Sequence, residues 1–239
     1  MRYLNLTLPS VAENVALDSA LLDEAEAAEG VVETLRVWES PELAVVVGRS
    51  SRFEQEVDLD ACRRQGIPVM RRDSGGAAVV IGPGCLMYAV VIGQHRTPGL
   101  RRVDAAHCHV LGELARAIRL LVPAITCNGT SDLAVGDRKV SGNSLRIKRR
   151  HILYHGTLLY DFPLDRIAQL LRTPPRMPDY RDGRPHGDFV ANLPVSAEEL
   201  TDALRTGWRA DQPRDGWPRD RVARLVTERY LEGDWCAPR

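Results

Sequence analysis

The opening residues Met1-Arg-Tyr-Leu-Asn-Leu-Thr-Leu8 alternate polar and apolar side chains, the period of a strand with one covered face. Ser10-Val-Ala-Glu13 has the spacing of a capping box, and Val15 and Leu22 stand one heptad apart behind it. This predicts a first helix, with Gly30 as its stop. Two β-rich runs, Thr34 to Trp38 and Leu43 to Val47, flank Ser40-Pro41 and read as a hairpin closed by Gly48-Arg49. A short helix over about Asp58 to Gln65 ends at Gly66 and leads into Ile67-Pro-Val-Met-Arg-Arg72. Past Gly75-Gly76, the runs Ala77 to Ile81 and Leu86 to Ile92 are continuously apolar and of strand length, with Gly82-Pro83-Gly84 as the turn between them. They predict buried central strands.

Apolar residues at helical spacing predict an amphipathic helix from Val103 to Leu121, which takes in His107-Cys108-His109. Successive helical side chains point about 100° apart, so these three do not converge on one metal ion. Asp132 to Val135, Lys139 to Ser141 and His155 to Tyr160 suggest further strands, and Leu164 to Leu171 a short helix. Residues 173–194 are rich in Pro, Arg and Gly, without a period, and too long for a neutral connector; they form a functional loop or a mobile one. Late helices are predicted at Ala197 to Thr206 and Arg219 to Leu231. Strands clustered in the first two thirds, with irregularly interspersed helices, indicate an α+β fold on a mixed sheet.

At 239 residues and 44% hydrophobic content the chain buries a substantial core. Lys+Arg and Asp+Glu balance at 32 each, which removes any global field for nucleic acid or an anionic membrane. The basic cluster Arg146 to Arg150 reads as an exposed turn, with a local grip on phosphate or an acidic partner as the alternative. No window approaches the eighteen or so apolar residues of a membrane span, and the N-terminus lacks the features of a secretory signal; a cytoplasmic protein is expected. Five cysteines (Cys62, Cys85, Cys108, Cys127 and Cys236) without CxxC spacing argue against a disulfide framework or a structural zinc site. No metal-ligating set is predicted.

The composition has one sharp feature: of the 32 basic residues, only Lys139 and Lys148 are lysines. Where arginine fills generic basic positions, a lysine kept in Gly136-Asp-Arg-Lys-Val-Ser-Gly-Asn143 is a candidate for chemistry that needs a compact ammonium, beside the plain alternative of an exposed turn lysine. The second candidate is Arg71-Arg-Asp-Ser-Gly-Gly-Ala-Ala-Val79. Paired glycines let a ligand approach the backbone and leave N–H groups free to cradle an anion, while a preceding arginine can fork onto phosphate or carboxylate oxygens. The spacing is neither that of a P-loop nor that of a Rossmann fingerprint.

These two segments, followed in order by His155-Gly-Thr-Leu-Leu159, resemble the lipoate–protein ligase, octanoyltransferase and biotin ligase superfamily, most closely its lipoate–protein ligase A branch. The resemblance runs from Asn14 through Trp38 and Gly48-Arg49 to about Leu193. It implies an α+β, class II synthetase-like fold with a largely antiparallel sheet; full-length ligases of the family carry a small C-terminal accessory domain, whereas a single catalytic domain over residues 1–239 without one is expected here. It also implies that Arg72, Ser74, Gly75, Gly76 and Ala77, Ala78, Val79 and Val80 form the lipoate- and adenylate-binding loop, with Arg49, Asp132, Gly142, His155 and Gly156 in the same binding set. Lys139 would hold the acyl carboxylate and the α-phosphate, and the apolar strands would wall an acyl tail.

The activity so implied is ATP-dependent lipoate–protein ligation. Lipoate or octanoate and ATP, with Mg²⁺, would give an acyl-adenylate, and the acyl group would pass to a lysine of a lipoyl carrier domain. A separate accessory protein is a further expected partner, or the chain is a relative that needs none. In octanoyltransferase and amidotransferase relatives a cysteine forms a thioester, and Cys127-Asn-Gly-Thr-Ser-Asp-Leu133 is similar to their Cys-Pro-Gly-x-x-Asp-Leu, with Asn128 in place of proline. Cys127 is therefore the candidate nucleophile of an ATP-independent alternative, with Cys85 a weaker one. A non-catalytic module binding lipoyl protein or cofactor is the third reading.

Overall fold

The computed structural model describes residues 1–95 and 99–231; Trp235 and Cys236 lie outside the described residues. Strand β1 (Arg2–Asn5) leads into helix α1 (Val11–Ala27), whose start carries the expected capping box: Glu13 N–H donates to Ser10 Oγ, and Ser10 N–H to the Glu13 carboxylate. The helix ends before Gly30, with Ala28 already extended. There follow β2 (Thr34–Glu39), β3 (Ala44–Val47), α2 (Phe53–Glu56), α3 (Leu59–Arg64), β4 (Val69–Arg71), β5 (Val79–Ile81) and β6 (Cys85–Gly93). Then come α4 (Val103–Ile118), β7 (Ile125–Asn128), β8 (Asp132–Val135), β9 (Arg138–Ile147), β10 (His151–Leu159), α5 (Asp165–Leu170), α6 (His186–Phe189), α7 (Ala197–Gly207), β11 (Gln212–Pro213) and α8 (Arg219–Leu225). The expected last helix continues past Leu225 as a π-helical stretch, Val226–Leu231.

The main sheet has the order β11-β1-β2-β6-β10-β9-β8-β7, and a smaller one the order β4-β3-β5. Among the strands of the described residues only β11-β1-β2 and β3-β4 pair in parallel, so the fold is the expected mixed, largely antiparallel α+β arrangement. β6 and β10, nine residues each and buried throughout, form its centre. Their alternation divides the core. Leu86, Tyr88, Val90 and Ile92 pack with α4 and α7, whereas Ala89 and Val91 pack with α1 and α8 on the other face. Nearer the small sheet, Cys85 and Met87 join a third cluster with β3, β5 and Phe53.

The predicted hairpin of Thr34 to Trp38 with Leu43 to Val47 does not form: β2 pairs with β1 and β6, and β3 with β4 and β5. Both runs are buried on both faces, so no exposed face marks a partner, and Ser40-Pro41 lacks the turn residues that would fold one run onto the other. β7 went unpredicted because it is short and half exposed.

Two segments are held more tightly than their composition suggests. The 146–150 cluster is no free cationic patch, since Arg146 pairs with Asp73, Lys148 with Asp23 and Arg150 with Glu26. The irregular 173–194 segment lies against β9, with Ala191 N–H donating to Lys139 O (2.9 Å) and Arg184 paired with Asp137 (2.7 Å).

Candidate active site

Between the two sheets lies a cavity of about 330 Å³, lined by both Gly76 and Lys139. Its apolar wall comes from cross-strand neighbours: Trp38 and Met87 across β2 and β6, Val46 and Val79 across β3 and β5, with Val15 from α1. The polar side comes from Asp132, Lys139, Gly142, His155 and Gly156 on β8, β9 and β10. Arg176, Met177 and Pro178 of the irregular segment also line it.

Arg72 builds the diglycine bend. Its buried guanidinium donates to Val46 O (2.9 Å), Ser74 Oγ (3.0 Å), Gly75 O (2.5 Å) and Ala77 O (3.0 Å). Burial pushes its pKa down to about 10, and Glu56 opposes that shift. Arg72 therefore braces the loop, with four of its five N–H donors given to backbone carbonyls and Ser74. Gly76 has φ +83°, in the region that favours glycine, and packs so close to Gly48 that a Cβ on Gly48 would lie 1.8 Å from Gly76 O. Glu56 completes the brace by accepting from Ala78 N–H (2.6 Å).

On the opposite side Lys139 Nζ lies 2.7 Å from Asp132 Oδ1, while Tyr180 donates to Asp132 Oδ2 (2.9 Å). Burial, reinforced by the Asp132 charge, pushes the Tyr180 pKa well up, so its hydroxyl stays a donor. A Cβ on Gly142 would come within 2.9 Å of Lys139 Nζ, so the absent side chain is the space in which the ammonium sits. Gly156 is likewise required, since its Cβ would lie 1.9 Å from Asn143 Oδ1.

The predicted residues separate clearly. Arg72, Gly76, Ala77, Ala78, Val79, Asp132, Lys139, Gly142, His155 and Gly156 line the cavity. Val80 lines an adjoining cavity of about 100 Å³, and Ser74 and Gly75 stand behind the bend. Arg49 is exposed and joins the loop through its own N–H, which donates to Ser74 O (2.8 Å).

Cys127 is not brought to the cavity. It pairs across β7 and β8 with Leu133, whose side chain belongs to the core under α4, so the thiol is turned to that side. Desolvation pushes its pKa up despite nearby Arg119, the reverse of activation by a lysine. Cys85 is buried in the core, and burial pushes its thiol pKa far up. Sequence reasoning missed Asp18, which lines the cavity and pairs with buried Arg36 (2.6 Å). The available signal was its place four residues after Asn14, one helical turn along α1.

A mixed sheet with one helix layer on each face, and an acyl-sized cavity holding a braced diglycine bend opposite a lysine, defines an acyl-activating or acyl-transferring enzyme class. The model of the lipoyl protein ligase A/B catalytic domain matches residues 10–205, and the chain belongs to that family. It is 34% identical over 198 residues to a putative lipoate-protein ligase A of Aeropyrum pernix, a match covering 82% of this chain and 70% of that protein. It is 31% identical over 225 residues to the octanoyltransferase LipM of Symbiobacterium thermophilum, covering 82% and 80%. The chain spans under half the length of some other curated relatives it matches. Among solved structures, a bipartite lipoate protein ligase from Thermoplasma acidophilum, studied with its E2 lipoyl domain, shares the fold at TM-score 0.82 and 22% identity, covering 98% of this chain and 95% of that one. Further neighbours of the same fold were solved with lipoic acid and with ATP bound.

Proposed function

We propose that this chain is an ATP-dependent lipoate–protein ligase that activates lipoate or octanoate as an acyl-adenylate and passes the acyl group to a lysine of a lipoyl carrier domain. The observation that carries this reading is that Lys139 and Gly76 of the diglycine bend line one cavity, which no cysteine among the described residues lines. The apolar wall of Val15, Trp38, Val46 and Met87 takes the acyl tail, each buried methylene contributing about 0.8 kcal/mol. The Lys139 ammonium sits between the acyl carboxylate and the α-phosphate, lowers their repulsion, and stabilises charge as the carboxylate oxygen attacks phosphorus and pyrophosphate leaves. In the second step the carrier amine attacks the acyl carbon, AMP departs, and the amine proton is lost to solvent. Residues Arg176 to Pro178 shield the activated acyl group from water.

Mg²⁺ would neutralise adjacent phosphate charges. Among the described residues no group of three or more His, Cys, Asp or Glu side chains is arranged to hold a metal ion, which fits an ion carried chiefly by phosphate oxygens. No helix among the described residues is long and apolar enough to cross a membrane; the setting we propose is cytoplasmic. Exposed Arg52 and Arg176 border a depression beside Gly76 and offer an acidic carrier surface a docking rim; a separate accessory chain is a further partner in this reading.

The octanoyltransferase relatives favour a second reading, ATP-independent acyl transfer. Pyrophosphate–ATP exchange driven by lipoate separates the two. Exchange that survives Cys127→Ser supports the ligase, whereas an acyl adduct on Cys127 with no exchange overturns it. A wild-type protein that binds octanoate but turns over nothing with any carrier, alongside a Lys139→Ala variant that binds it equally, would indicate a binding module.

A further inference from the structure

Five buried side chains beside the cavity form an unbroken chain. Arg72 Nε lies 3.0 Å from Ser74 Oγ, Ser74 Oγ 2.5 Å from His155 Nε2, His155 Nδ1 3.2 Å from Asp18 Oδ2, and Asp18 Oδ1 2.6 Å from Arg36 Nη1. Proton accounting gives it one direction. Arginine only donates, so Ser74 accepts from Arg72 and has one proton left to give. The Asp18 carboxylate, paired with Arg36, only accepts, so His155 carries its proton on Nδ1. His155 Nε2 then accepts from Ser74. The order matches a Ser-His-Asp triad, but Ser74 is 1% exposed and does not line the cavity, so its hydroxyl has no access to an acyl carbon.

What Ser74 does adjoin is the diglycine bend. The Gly75 carbonyl is taken by Arg72 (2.5 Å) and by Ser144 Oγ (2.7 Å), and Gly76 faces the cavity. We propose that Asp18 is a positioning residue: by setting the His155 tautomer it orients Ser74 and holds Gly75-Gly76 in the conformation that receives the activated acyl group. The catalytic part of this inference rests on the ligase reading above; the tautomer and the bend do not.

The substitution Asp18→Asn gives a specific expectation. Arg36 offers only donors, so the new amide oxygen must face Arg36 and its NH₂ must face His155 Nδ1. Nδ1 becomes an acceptor, the ring proton moves to Nε2, and Ser74 Oγ then faces two donors. The tautomer inverts while the shape is kept.

The test uses full-length protein without ligand. Long-range ¹H–¹⁵N NMR, with His155 assigned through His155→Gln, should report the Nδ1–H tautomer in wild type and Nε2–H in Asp18→Asn. Hydrogen exchange of the peptide over residues 71–80 should speed up at least tenfold in Asp18→Asn and Ser74→Ala and return to within threefold of wild type in Ser74→Thr, which keeps the hydroxyl. Affinity for octanoyl-sulfamoyl-adenosine should fall at least tenfold in the same two variants, with octanoate affinity within twofold. An Nε2–H ring in wild type, an unchanged tautomer in Asp18→Asn, or unchanged exchange of the bend overturns the proposal. Wild type that fails to bind the adenylate analogue, with tautomer and exchange behaving as stated, overturns the ligase reading and leaves the positioning chain standing.

Discussion

Lys139 Nζ lies 2.7 Å from Asp132 Oδ1, and the other oxygen of that carboxylate accepts from Tyr180 in the irregular segment. One carboxylate thus aims the ammonium into the cavity and ties down the segment that borders it. Asp132 is buried, so its charge acts on both partners with little screening.

Replacing Lys139 by Gln keeps a donor for Asp132 but removes the charge. Pyrophosphate exchange should fall by about 10²–10³-fold, the usual scale for one electrostatic stabiliser. Stability should drop by about 1.5–3 kcal/mol, a melting shift of roughly 3–12 °C. A large loss of melting temperature with exchange retained would refute the assignment. Lys139→Arg should not rescue, because the fork needs room that Gly142 leaves only for a compact head.

Gly48→Ala places a methyl group against the Gly76 carbonyl. The overlap displaces the bend, costing about 1–3 kcal/mol and weakening ligand binding. Chemical denaturation and calorimetry with octanoyl-sulfamoyl-adenosine measure the two losses; normal values for both would show the loop tolerant of that contact.

Tyr180→Phe removes the donor to Asp132 Oδ2. Hydrogen bonds to charged groups contribute about 1.5–3 kcal/mol, so the 172–186 segment should open more often. Trypsin cleavage after Arg176 or Arg181 should accelerate several-fold over wild type, and equal rates would contradict this.

Cys127 has a raised thiol pKa, which lowers its thiolate fraction at neutral pH. Its alkylation by iodoacetamide should be slow near pH 7 and climb as pH rises through and beyond the ordinary thiol range. Complete alkylation should leave pyrophosphate exchange within about twofold of wild type. Rapid labelling at pH 7 that abolishes exchange would restore the thiol to the chemistry.

The elements that local pattern describes best are those closed by local chemistry. The Ser10 and Glu13 side chains and the amphipathic stripe of α4 act over one to four turns, and both helices begin where read. Composition singled out Lys139, and Gly76, Gly142 and Gly156 marked places where backbone or ammonium needs an absent Cβ. The order of segments along the chain brought the family into view.

What local pattern lacked was the partner of each strand. Thr34–Glu39 and Ala44–Val47 are buried on both faces, so period alone carried no register, and long-range packing sent them to different sheets. The same packing turned Cys127 toward α4, committed Arg72 to the backbone, and brought Asp18 beside His155 across α1 and β10. Residue types and short spacings determined which groups were available for chemistry, because those are properties of a few adjacent residues. Which of them face one cavity was decided only when two sheets closed around it, since burial and direction depend on neighbours far along the chain.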